Sequence, residues 1–183
     1  MLYHASETEN LKVLVPKVST HGTPYVYATD NLYIALLFGA PMDDFDLVID
    51  LVDGKARVSE CYMNAFKGIY ENRKCSVYQV EDATFLKDKT GWSAEFVSKK
   101  PVQVLKECRV DHLYDALMQQ VNNGNILLDI YNNSIEYRRR ISNHIVDRLI
   151  RFGILDNEIP ARIQERFPKI IHGLKELISG EYL

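Results

Sequence analysis

The chain has 183 residues, 46% hydrophobic and 26% charged, with a formal net charge of −3. That composition fits an ordinary globular protein with one good domain, or one domain and a helical appendage, and gives no electrostatic reason for broad nucleic-acid binding. The three cysteines, Cys61, Cys75 and Cys108, match neither a disulfide framework nor a zinc ribbon; they are expected to be small buried hydrophobes in a reducing, cytoplasmic setting.

The opening MLYHASETEN lacks the basic and apolar regions of a secretory leader, and no apolar run reaches the ~20 residues of a membrane helix. A soluble chain with no membrane partner is expected. LYH starts a short strand. In the following SETENLKVLVP, Ser6 and Glu9 have the spacing of a capping box, which predicts a helix with Leu11 and Leu14 on one side and Pro16 as its stop. After a polar loop, YVYAT (25 to 29) reads as a strand, with Tyr25 in the core and Tyr27 at the rim. Asp30 or Asn31 can cap the helix that follows in NLYIALLFGA.

Residues 41 to 73 are ambiguous. DLVIDLVDGKARV fits either a hairpin about Asp53-Gly54 or a helix running into a loop. CSVYQV (75 to 80), EFVS (95 to 98) and VQVLKECRV (102 to 110) read as strands, the last with Val102, Val104, Cys108 and Val110 on one face and Lys106 as the exception. Near Asp111 the period changes to 3.6. HLYDALMQQV, ILLDIYNN, IEYRRRISNHIVDRLIRFG and IPARIQERFPKIIHGLKELI are all predicted helical, with Ile141, Ile145 and Leu149 forming one stripe. Ile163, Phe167, Ile170 or Ile171, and Leu174 form another. Pro160 and Pro168 suit first turns.

The residues with chemical potential lie in the strand-rich part. His4 ends the first strand, Tyr27 ends a later one and Glu95 begins another. Each alone has an ordinary structural reading: a hydrogen-bonded histidine, a core tyrosine, a solvated carboxylate. His112, His144 and His172 show no metal-ligand spacing, and neither GxGxxG nor GxxxxGK(S/T) is present, so no Rossmann or P-loop nucleotide frame is expected. The arginine-rich run from Arg138 to Arg151 reads first as a solvated helix face and second as a surface for an acidic partner.

Taken together, LYHAS with ENLKVL, YVYATD, and SAEFVSKKPVQVLKECRV resemble the three motifs of ADP-ribosyltransferases of the His-Tyr-Glu type, the group containing the diphtheria-like toxins and the poly(ADP-ribose) polymerases. The resemblance covers residues 1 to 110. It implies an α+β fold with a split, mostly antiparallel β core of ADP-ribosyltransferase type, followed over 111 to 183 by an all-helical C-terminal part. It also implies NAD as substrate, transfer of ADP-ribose to an acceptor and release of nicotinamide. Water as acceptor would make the chain an NAD glycohydrolase; a non-catalytic binding module on the same fold is the other reading. By the same resemblance, Glu95 stabilises the charged ribose, Tyr27 and Phe38 cover the nicotinamide ring, Ala5 and Ser6 meet its carboxamide, and His4 holds a ribose hydroxyl.

Two departures matter. Ala5 stands where the family has glycine, and Ser93 stands where the arginine-modifying relatives carry glutamate or glutamine, which argues against an arginine acceptor. VYQVED also resembles the strand of the rifamycin-modifying relatives, which leaves Asp82 or Glu81 as alternative acids.

Overall fold

Short β-branched and aromatic runs separated by Asn, Asp and Gly turns set the strands. The computed structural model describes residues 1–18, 22–154 and 159–179, the side chains of 173 and 175–179 excepted. Along the chain come β1 (Leu2–Ser6), β2 (Val13–Leu14), β3 (Lys17–Val18), β4 (Pro24–Ala28), α1 (Leu32–Leu37), β5 (Leu47–Val52), β6 (Lys55–Glu60), α2 (Ala65–Tyr70), β7 (Cys75–Val80) and β8 (Leu86–Lys87). They continue with β9 (Phe96–Ser98), β10 (Val102–Val110), α3 (Leu113–Asn122), β11 (Ile126–Asp129), α4 (Ile135–Arg151), α5 (Ala161–Arg166) and α6 (Pro168–Ser179).

Two four-stranded sheets have the orders β1-β7-β10-β2 and β3-β4-β9-β8, and a three-stranded sheet has the order β11-β6-β5. Every pairing within the four-stranded sheets is antiparallel. The β5–β6 connection is the hairpin alternative: Asp53 and Gly54 have φ of 50° and 75°, the pair of positive values a type I′ turn requires.

The expected α+β division, a β core of ADP-ribosyltransferase type followed by an all-helical C-terminal part, is overturned. The protein is mixed α/β: short helices alternate with antiparallel sheets, and the region after residue 110 contributes a strand as well as helices. ILLDIYNN is that strand rather than a helix. Asn123 caps α3 and Gly124 leaves it at φ 72°, so only roughly two turns could fit before Ser134 caps α4. SETENLKVLVP is not helical either. Ser6 belongs to β1, paired with Ser76, and its Oγ accepts from the Thr8 N–H at 3.1 Å. Glu9 meets Lys74 at 2.6 Å, so the capping box does not close.

By its contacts the chain forms two units. The first comprises Met1–Met42, Ile49–Val58 and Phe66–Leu128, and the second Asp43–Val48, Ser59–Ala65 and Asp129–Leu183. The expected boundary at 110/111 marks the change from strand to helix, while the units part at 128/129, because α3 buries Leu113 and Leu117 within the first. One core of the first unit gathers Leu2, Leu14, Val26, Ala28, Tyr78, Val80 and Val102. In the second unit Tyr137, Ile141, Ile145 and Leu149 of α4 pack with Ile163, Phe167 and Ile171. No helix among the described residues is long and apolar enough to cross a membrane.

Candidate functional site

Three strands of the first unit position the site. Tyr3 of β1 exchanges both backbone bonds with Thr29, just after β4, at 2.8 and 2.9 Å. Backbone groups two residues apart on a strand point the same way, so Ala5 on β1 and Tyr27 on β4 also turn toward this seam. A continued ladder would pair them. Instead the His4 side chain enters: its Nδ1 lies 2.8 Å from the Tyr27 carbonyl oxygen. Two residues on from Tyr3, the Ala5 backbone N–H and C=O face this opening.

A carbonyl only accepts, so His4 Nδ1 carries the proton and Nε2 presents a lone pair. Burial lowers the His4 pKa from 6.5; the bond to Tyr27 works against that shift and the charge of Lys17 adds to it. The imidazole is thus held neutral, beside the Tyr78 ring at 6.5 Å between centroids.

Tyr27 pairs with Val97 of β9, which puts Glu95, two residues earlier, on the same side. The Tyr27 hydroxyl has its pKa raised, first by burial and then by the negative charges of Glu95 and Tyr25. Tyr27 is thus the link between the two other candidates: its backbone carbonyl meets His4 and its hydroxyl feels the charge of Glu95. The expectation of a core Tyr25 is corrected: Val26 and Ala28 are the buried residues of β4. Both tyrosines stand half-buried on its other face, their rings edge to face at 5.9 Å, with Lys99 over Tyr25.

Phe38 follows α1, whose Asn31 cap accepts from the Tyr33 and Ile34 N–H groups. The turn after it needs Gly39, where a Cβ would come within 2.7 Å of Cys75 Sγ. Phe38 is 44% exposed and lies edge to face with Trp92 at 6.0 Å. Trp92 is the residue that sequence reasoning missed. Its carbonyl also accepts from the Glu95 N–H at 3.1 Å, so the turn it anchors sets the carboxylate. The signal was available: the chain's single tryptophan stands three residues before the candidate acid.

Ser6 lies beyond the seam in the turn with Thr8. Asp82 sits past Val80, the β7 residue paired with Leu2, and its carboxylate is 68% exposed, 3.9 Å from the Met1 ammonium. The arginines of α4 divide. Arg140 bonds Ser59 at 2.9 Å and Asp129 at 3.1 Å and lies over the Tyr137 ring, whereas Arg138, Arg139 and Arg151 are exposed. Cys61 and Cys75 are buried, with burial raising their pKa to about 12 and about 11; Cys108, contrary to expectation, is exposed.

Chemically, the seam offers an amide-sized donor and acceptor pair at Ala5, a neutral imidazole acceptor, a half-buried aromatic ring and a carboxylate. Comparison with protein-family models and with curated protein sequences gives no match to this chain.

Proposed function

We propose that this chain transfers ADP-ribose from NAD⁺ to an acceptor and releases nicotinamide. The observation that supports the reading is the bond from His4 Nδ1 to the Tyr27 carbonyl in the β1–β4 seam, on a residue whose hydroxyl feels the charge of Glu95. A nicotinamide carboxamide has one donor and one acceptor, matching the Ala5 backbone pair. The flat ring would lie against Tyr27, with Phe38 and Trp92 close to the acid. His4 Nε2 accepts from a ribose hydroxyl.

The bond from ribose C1′ to the nicotinamide nitrogen breaks, and its electron pair leaves with nicotinamide. Positive charge builds on the ribose, as in glycoside cleavage, and Glu95 stabilises it as a fixed anion. The acceptor's lone pair then forms the new bond to C1′ and its proton is lost. Ser93 disfavours an arginine acceptor. The exposed Arg138, Arg139 and Arg151 are a candidate surface for an acidic acceptor or partner, and the free thiols suit a cytoplasmic setting.

Incubation with NAD⁺ labelled in the nicotinamide ring tests the reading, and turnover should release free nicotinamide. Release with free ADP-ribose as the only other product would identify a glycohydrolase. Saturable NAD⁺ binding without release would identify a binding module, and no binding would remove the assignment.

A further inference from the structure

The face of the first unit opposite His4 holds a second candidate site. Side chains alternate along β1, so Tyr3 points away from the His4 face, and there a cavity of about 340 Å³ lies between the sheet and helices α1 and α3. Its wall includes Val77 and Gln79 of β7, Lys106 and Cys108 of β10, and Ala116 and Gln120 of α3.

A β-bulge builds this wall. Val104 pairs with Val80, but Lys106 pairs with Gln79, so Leu105 is an extra residue. The insertion reverses the side of every later residue. Val102 and Val104 pack with the core that contains Tyr78, while Lys106, Cys108 and Val110 line the cavity. Lys106 is the one charged residue of the wall, and no carboxylate among the described residues pairs with it. Apolar surface dominates the rest, with the carboxamides of Gln79 and Gln120 as donors. The volume is at the small end of ligand sites.

We infer that this cavity binds a small carboxylic acid with an apolar body, its carboxylate at Lys106 and its hydrocarbon against Val77, Cys108 and Ala116. A buried apolar body supplies the affinity, and a cation with two amide donors orients the acid and rejects a neutral analogue. The inference is independent of the NAD⁺ reading: no residue named for that site lines this cavity.

Titration of the full chain with octanoate and with octanol, by calorimetry and by amide chemical shifts, provides the test. Octanoate should bind at one saturable site, shift the amides of Val77, Cys108 and Ala116, and bind at least tenfold more tightly than octanol. Lys106→Met, at an exposed position, should weaken octanoate by roughly tenfold to a hundredfold, the loss of one charge-assisted hydrogen bond, and abolish the preference over octanol. Ala116→Leu should block both ligands by filling the cavity. Absence of saturable octanoate binding, equal affinity for octanol, or unchanged binding by Lys106→Met would each overturn the assignment.

Discussion

In the second unit the chain supplies its own partners for charged groups near the core. Asp46, 7% exposed, accepts from the Tyr62 hydroxyl at 3.0 Å, the Asp43 N–H at 2.8 Å and Arg166 at 2.5 Å. The Tyr137 hydroxyl donates between the Glu60 and Asp129 carbonyls, while Ser59, Asp129 and Arg140 close a second network. In the first unit, the His4 imidazole bonds the Tyr27 carbonyl, and the Ala5 backbone faces the seam that this side chain enters. Polar groups whose capacity the fold consumes stabilise it; those that the fold positions without saturating are available to a ligand. The comparison can be broken by substitutions that ought to separate the two roles.

The largest separation is expected at Glu95. Replacement by glutamine keeps the shape and the Trp92 turn, so NAD⁺ affinity and the melting temperature should hold. Nicotinamide release should fall roughly 10²–10³-fold, about 2.7–4 kcal/mol, for one electrostatic stabiliser of the transition state. Unchanged release would remove Glu95 from the mechanism and direct attention to Asp82.

Asp46 should behave in the opposite way. Asp46→Ala leaves the Tyr62 hydroxyl without its acceptor and Arg166 with only the longer contact to Asp43 at 3.8 Å. Arg166 keeps about a third of its surface exposed and can turn to water, so the loss should be about 2–3 kcal/mol, below that for breaking a fully buried pair. Denaturant unfolding measures it, and any NAD⁺ turnover should be unaffected at temperatures where the variant is folded. A stability loss under 0.5 kcal/mol, on the order of a surface substitution, would mean that the network does not hold the unit together.

Tyr27 and Tyr25 sharpen the contrast within a single strand. Both are half-buried on one face, so neither truncation creates a core cavity. Tyr27→Ala should weaken NAD⁺ binding by about 1–3 kcal/mol, on the scale of a lost aromatic platform for a base, and Tyr27→Phe should be mild. Tyr25→Ala, whose ring sits with Lys99, should weaken it less. Equal losses in calorimetry would show that the pair acts as one packed unit rather than as ligand platform and support.

The local signals in the sequence were readable where one residue type decides the geometry. Asn31, one of two candidate caps, starts α1, Asp53-Gly54 makes the hairpin that was one of two readings of its segment, and the Ile141, Ile145 and Leu149 spacing marked the buried side of α4. Pairing was not readable. The helix pattern of ILLDIYNN yielded to strand pairing beside β6, and the valine alternation of β10 was broken by a bulge that no residue type at Leu105 signals. The site was legible to the same degree. His4, Tyr27 and Glu95 were named together only through the family resemblance; His4 stands in the middle of β1 rather than at its end, and the Tyr3–Thr29 bridge beside it is a long-range register, set by packing of Val26 and Ala28 with Leu2.

The smallest effect belongs to His4, and it tests which charge state the seam requires. Burial lowers its folded pKa below the free value of 6.5, Lys17 adds to the shift, and the Tyr27 carbonyl opposes it. A folded state with the lower pKa binds fewer protons than the unfolded chain. Its contribution to stability is therefore complete above about pH 6.5 and declines as the pH falls through the folded pKa. Melting temperatures from pH 8 to pH 5 should drop slightly more for wild type than for His4→Gln, which retains a donor for the Tyr27 carbonyl but does not titrate. NAD⁺ affinity should fall over the same window in wild type, because protonation converts Nε2 from an acceptor for a ribose hydroxyl into a donor. A wild-type profile parallel to that of His4→Gln in both measurements would show that the imidazole is a structural wedge alone.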